Sequence, residues 1–205
     1  FHIGLPPSID RDRIARMHAW RPGEPLLHLN TMPARFVFGL LRPRSLTAKA
    51  FAVPGVRLLD DINRDELRAL EMPAVNGIGT ADSIAKAYGS AATGGTEIGL
   101  TPSTLEDLTM PAAPPNGGPR DQVLRVDTSF SLGFVKPYSL TRFGSSDKAF
   151  GTPGAGGSFG FADPDTGVGY GYVMNKMGFH LASDPRELKL RQALFENVLG
   201  ARSQS

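Results

Sequence analysis

The stretch SFGFADPDTGVGYGYVMN, residues 158–175, leaves the chain few folds to choose from. Apolar and small residues alternate on either side of a DPDTG turn, the signature of a β-hairpin. Phe159 and Phe161 point one way on the outgoing strand, and Val168, Tyr170, Tyr172 and Met174 share a face on the return. The opposite face of the return strand carries Gly169 and Gly171, whose bare backbone lets another element approach closely.

Most of what precedes the hairpin reads as helix. Residues 8–19 predict a short helix with Ser8 as N-cap and Ile9, Ile14 and Met17 on one face. Pro22, Pro25, Pro33, Pro43 and Pro54 break the next stretch into helical pieces at 34–41 and 45–52, a lid or wrapped segment and not a sheet. A capped helix start follows between Asp60 and Leu70, with Asp61 and Asn63 before DELRAL. Residues 76–92 enter a helix through Asn76 and Gly77, with Thr80 as N-cap and Ala81, Ile84, Ala85 and Tyr88 as a face for close packing. TPSTLEDLTMP, residues 101–111, predicts another helix with Pro102 near its first turn. APPNGGP, residues 113–119, is the sharpest break in composition. It divides the chain into a mostly helical cover region, 1–118, and a β-rich region, 119–205. In the second, 123–127 and 129–135 alternate as half-buried strands. The chain closes on a helix with Asp184 as N-cap, Pro185 at its first position, Glu187 completing a capping box, a Leu190, Leu194 and Val198 stripe, and Gly200 as the stop.

Composition excludes several classes of chemistry. No cysteine is present, so disulfides, thiolate metal sites and cysteine nucleophiles are ruled out. The formal charge is only +2, with no basic run of the kind that holds nucleic acid. No apolar run reaches the length of a membrane span, and no targeting segment is visible, so a soluble, cytoplasmic protein is expected. The four histidines lack metal-ligand spacing, and the glycine run lacks the G-K-[ST] of a phosphate loop, so no cofactor is expected. The opening FHIGLPP reads as the middle of a fold, so the chain is expected to be the C-terminal piece of a longer protein, a trimmed complete domain being the alternative.

Three serine motifs invite a nucleophile. Residues 156–160 spell G-x-S-x-G around Ser158, but a nucleophile elbow needs a helix after the serine, and FGFADPDTG predicts a strand and a turn. Ser158 therefore reads as a small polar residue on a glycine-rich strand. Ser83 with Lys86, and Ser145 with Lys148, match S-x-x-K, in which the amine one turn on takes the hydroxyl proton. The first lies inside a helix and the second in a loop, where each lysine reads as a solvated surface charge.

FGTPGAGGSFGFADPDTGVGYGYVMNKM resembles the late β-hairpin of the serine β-lactamase-like hydrolases, a group that includes class C β-lactamases, penicillin-binding-type proteins and family VIII carboxylesterases. FHIGLP, PAVNGIGTADSIAKAY and SFSLGF fit the same group, in order along nearly the whole chain. The resemblance implies an α/β (α+β) fold of β-lactamase/transpeptidase type, here its C-terminal half: a helical cover, then antiparallel strands and a closing helix. It also implies that the nucleophilic Ser, its Lys and the Tyr of the second motif precede Phe1. Thr152, Pro153 and Gly154 occupy the place of the third motif, K-T-G or a variant such as H-x-G or W-x-G. Thr152 departs from the family's basic or aromatic residue and supplies no cation for a β-lactam carboxylate, which favours a neutral ester. Ala155 matches the position whose backbone N–H forms half of the oxyanion hole.

On this reading Gly154, Gly156 and Gly157 clear side chains from a strand that must lie against a scissile carbonyl. A bulge or tight helix–strand packing explains the same glycines. Asn76 and Gly77 are read as structural. The resemblance implies a small-molecule ester or amide substrate, the missing N-terminal half as the chain's partner, and hydrolysis through an acyl-enzyme. The rival is a binding or structural protein that keeps the fold without the chemistry, which Thr152 permits.

Overall fold

The computed structural model describes residues 1–21, 24–52, 61–201 and 204. Pro22, Pro54 and Asp60, named above as breaks and as a helix start, lie outside the described residues. A two-stranded antiparallel pair joins β1 (His2–Ile3) to β2 (Gly77–Ile78). A five-stranded antiparallel sheet follows in chain order, from β3 (Phe130–Ser131) and β4 (Phe134–Val135) through β5 (Phe150–Pro153) to β6 (Phe159–Asp163) and β7 (Val168–Tyr172). The described helices are α1 (Ala34–Leu40), α2 (Leu46–Phe51), α3 (Asp65–Ala69), α4 (Ala81–Ala92), α5 (Pro102–Thr109) and α6 (Pro185–Ala193), the last running into a π-helical turn, Leu194–Val198. Among the described residues no helix is long and apolar enough to cross a membrane.

The expected hairpin is β6 and β7, in register from Phe159 opposite Tyr172 to Asp163 opposite Val168. Its bulky face forms the larger core with Phe143, Phe159, Phe161, Tyr170 and Phe195. Its glycine face receives α4. A Cβ on Gly169 would lie 2.0 Å from the Gly89 nitrogen, and one on Gly171 would lie 2.5 Å from the Ala81 carbonyl oxygen. Helix and strand thus meet at backbone distance, as the alternation predicted. α4 starts where expected: Thr80 accepts from the Ser83 amide, and Ser83 Oγ accepts from the Thr80 amide.

Elsewhere local pattern loses to tertiary partners. The helix expected over 8–19 is one 3-10 turn, Arg11–Arg13, capped by Asp10 and not Ser8. Its continuation is pulled away because Asn63 bonds both the amide and the carbonyl of Met17, and His18 bonds Asn175. Asn63 is thereby occupied, and α3 begins after Arg64 with no side-chain cap. The strand expected over 123–127 is a turn, because the Asp121 carboxylate accepts from the amides of Val123 and Leu124. Residues 129–135 are two strands and not one: β3 and β4 fold on Leu132 and Gly133, at φ 45° and 88°, the positive pair of a type I′ turn.

The closing helix keeps its Asp184 N-cap and its Pro185, but not the capping box or the stripe. Asp184 accepts from the Arg186 amide. Glu187 turns inward to Arg191, 2.8 Å away, and both are buried. Leu190 and Val198 are 56% and 73% exposed, and the inward line is Glu187, Arg191, Phe195. In that position Arg191 lies over the Phe159 ring and donates to the Arg142 carbonyl.

Candidate active site

β5, the middle strand of the sheet, carries Thr152 and Pro153, expected to begin the third motif, to its end. Phe150 points into the second core, with Ala91, Ala92, Leu108 and Ala162. Thr152, two residues on, shares that face and is exposed. Tyr88 of α4 reaches it: burial raises the Tyr88 phenol above its ordinary range, and a hydrogen bond with Thr152 partly offsets this. Pro153 closes the ladder, opposite Phe159.

Residues 154–157 then make a tight turn. The Gly157 amide donates to the Gly154 carbonyl at 3.1 Å, and the Gly154 amide donates to Ser158 at 2.7 Å. Gly156 sits at φ +87°, while Ala155 is not among the described non-glycine residues at positive φ. That combination is a type II turn with Ala155 at its second position and Gly156 at its third. Ala155 is exposed, and among the described residues its N–H has no hydrogen-bond partner. The ladder has ended at Pro153, so no strand takes up this donor.

The glycines around it answer to the protein's own packing first. A Cβ on Gly154 would fall 2.2 Å from Ser158 Oγ, and one on Gly157 would fall 2.7 Å from an Asp184 carboxylate oxygen. The turn rests on α6. Arg186 and the Gly178 amide both donate to the Gly156 carbonyl, at 3.1 and 2.7 Å. Burial pushes the Asp184 carboxyl up, but hydrogen bonds and charge from Arg186 outweigh it and hold the group below the usual carboxylate range. Arg186 is held more firmly protonated in return, chiefly by its hydrogen bond to Asp184.

The other serines do not assemble a site. Ser158, His180 and Asp184 line one pocket, but its volume is about 20 Å³, room for one water. Among the described residues no hydrogen bond links Ser158 to His180 or His180 to Asp184, and both Asp184 oxygens are engaged by Arg186. Ser83 is taken up by the cap of α4, and Lys86 pairs with Asp82 at 3.0 Å on the surface. Ser145 Oγ donates to Asp163, and Lys148 pairs with Asp165. Neither S-x-x-K match is a Ser–Lys couple. Asn76 donates to the carbonyls of Leu67 and Leu70 and accepts from the Met72 amide, and Gly77 pairs with Ile3, so both serve the loop.

Two features escaped the sequence reading. Lys136 is buried and donates to the carbonyls of Leu108, Thr109 and Lys148. It caps the C-terminal end of α5, and burial lowers its pKa to about 8, with Asp147 opposing. A lysine between Val135 and Pro137, where apolar residues flank it, was the available signal. Arg186 was the second: two residues past an N-cap, it reads as an ordinary first-turn residue.

The family model described as Beta-lactamase matches residues 2–194. Esterase/beta-lactamase LipL of Mycobacterium tuberculosis (strain ATCC 25618 / H37Rv) is 36% identical over 107 residues, which is 52% of this chain and 24% of that protein. A penicillin-binding protein homologue from Caulobacter crescentus superposes with a TM-score of 0.69 at 34% identity, covering 96% of this chain and 48% of the other. A family VIII carboxylesterase gives 0.66 at 33%, covering 95% and 46%. EstA from Arthrobacter nitroguajacolicus Rue61a gives 0.75 at 27%, covering 97% and 50%. The chain spans about half the length of these solved structures and about a quarter of LipL.

Proposed function

The chain belongs to the β-lactamase family, and from that premise we propose that it is the oxyanion-side half of a serine hydrolase acting on carboxylic esters. The observation that supports the proposal is Ala155, an exposed residue whose N–H has no partner among the described residues, on a turn just beyond the end of β5. A preorganised backbone donor of this kind stabilises the negative charge that develops on a carbonyl oxygen in acyl transfer.

The chemistry runs in two steps. A serine hydroxyl from polypeptide preceding Phe1 attacks the ester carbonyl carbon, and its proton passes to an accompanying Lys and Tyr. The carbonyl oxygen becomes an oxyanion held by the Ala155 N–H and the nucleophile's own N–H. The alkoxide leaves, taking that proton, and the acyl-enzyme remains. Water then adds to the acyl carbon, gives its proton to the same base, and the carboxylic acid departs as serine is restored. Thr152 is neutral where the family carries a basic or aromatic residue, which supports an uncharged ester over a β-lactam carboxylate. The open outer edge of β7, which among the described residues pairs only with β6, offers the missing half a place to add a strand.

The test compares this chain with the longer polypeptide on a chromogenic short-chain ester, with a fluorophosphonate label to map the nucleophile. The expected result is turnover and labelling only in the longer form, at a serine before Phe1. Turnover by the chain alone, or a label on Ser158, overturns the proposal. A longer form that neither labels nor turns over supports the non-catalytic reading that Thr152 permits.

A further inference from the structure

We infer that Asp184 and Arg186 act together as a positioning device for the Ala155 amide. The inference rests on the reading of that amide as an oxyanion donor.

A peptide unit is a rigid plane, so fixing its oxygen fixes the N–H at its other end. The Ala155 N–H shares a plane with the Gly154 carbonyl. That carbonyl accepts from the Gly157 N–H. The Gly157 N–H in turn shares a plane with the Gly156 carbonyl, which Arg186 and the Gly178 amide hold from beneath. One hydrogen bond therefore passes the orientation of the lower plane to the upper one. Without Arg186 the Gly156 carbonyl keeps only the Gly178 amide, and the plane on which the Ala155 donor depends is loosened.

The side chain that does the holding is suited to it. Arg186 Nη2 donates to both Asp184 Oδ2, at 2.7 Å, and the Gly156 carbonyl, at 3.1 Å. Its Nε donates to Asp184 Oδ1 at 2.9 Å and its Nη1 to the Lys176 carbonyl at 2.8 Å. A planar fork makes these contacts together, and an ammonium does not. Asp184 is buried and also caps α6 through the Arg186 amide, so the turn is bolted to the helix start. The carboxylate comes this close because its neighbours have no side chains. A Cβ on Gly178 would lie 2.1 Å from Asp184 Oδ2 and 2.5 Å from Arg186 Nη2. The D-P-R start of α6 thus serves the helix and the site at once.

A double-mutant cycle in the ester-hydrolysing longer polypeptide tests this, with kcat expressed per titrated active site. Arg186→Ala is expected to lower kcat roughly 10- to 100-fold with KM little changed, the effect of a donor displaced by about an ångström. Ala155→Pro removes the donor itself. If Arg186 works through that donor, Arg186→Ala adds no further loss on the Ala155→Pro background. Equal, additive losses on both backgrounds overturn the inference, because they are what a purely structural role gives. Unchanged kcat in Arg186→Ala also overturns it. Should Arg186→Ala fail to fold, Arg186→Lys, which keeps a charge on Asp184 but not the fork, takes its place in the cycle, and additive losses or an unchanged kcat overturn the inference there too. Full turnover in Ala155→Pro alone marks failure of the underlying oxyanion reading, a result separable from the others.

Discussion

Replacing Ala155 with proline takes the donor hydrogen from the proposed oxyanion site, puts the ring Cδ in its place and leaves the turn intact. Proline is favoured at the second position of a type II turn, where its fixed φ matches the backbone. The preceding Gly154 has no Cβ to meet the ring, and Ala155 is exposed, so the ring has room. No backbone hydrogen bond within the described residues is lost, because the Ala155 N–H makes none there. A compatible proline commonly stabilises a protein by about 0.4–1 kcal/mol through the unfolded chain. The melting temperature is therefore expected to hold or rise slightly. Activity is expected to move the other way. Removing one oxyanion donor costs about 10²–10³ in kcat, or roughly 2.7–4 kcal/mol of transition-state stabilisation. KM is expected to rise as well, since the ring Cδ stands where the substrate carbonyl oxygen would approach. Ester turnover per titrated site, with a thermal melt on the same preparation, reads both numbers. An Ala155→Pro protein that melts like the parent and turns over within about threefold of it refutes the argument, since a lost donor predicts at least ~10²-fold.

Further substitutions test the frame around the site. Gly169→Ala drives a methyl onto the Gly89 nitrogen and the Ala85 carbonyl, atoms that cannot rotate away, so urea denaturation is expected to show a loss at or above the usual overpacking cost of about 1–3 kcal/mol. Glu187→Ala leaves Arg191 charged, fully buried and missing its partner, and is expected to cost about 3–5 kcal/mol by the same assay. Lys136 has a folded pKa near 8 against an ordinary value of 10.5, so between those pH values the unfolded chain binds more protons there than the folded one. Stability contributed at this residue is expected to rise from pH 8 to pH 10, and Lys136→Met is expected to flatten that rise in melting temperature relative to the parent.

The features legible in the sequence were those that local chemistry enforces. Strand alternation marked Phe159 and Phe161 as one face and Tyr170 as part of another run, and the glycines opposite Tyr170 announced that some element would approach closely, which is α4. Thr80 caps the helix it was expected to cap, because a side chain bonding an amide three residues on needs nothing from the rest of the fold. Readings failed where a distant or competing group intervened. Asn63 unwinds the chain at Met17 from 46 residues away, and the Asp121 carboxylate claims the amides that a strand at 123–127 would have used. Leu132 at positive φ hid the turn between β3 and β4, since only its neighbour Gly133 carries the usual signal. Glu187 and Arg191 have the spacing of a solvated surface pair, and nothing local says that their face turns inward.

The candidate site divides along the same line. From the residues alone the glycine run could serve packing as well as a substrate, and only the family resemblance singled out Ala155. The structure now gives the run several separate duties. Gly156 supplies the positive φ of the turn, Gly157 and Gly178 admit the Asp184 carboxylate, and Gly154 clears Ser158. None of these duties touches a substrate, and the turn they build carries Ala155, whose N–H has no partner among the described residues. On the proposed reading, a motif search centred on Ser158 finds the right turn and the wrong atom. The serine is packing, and the proposed chemistry sits on the main chain three residues earlier, where no side chain marks it.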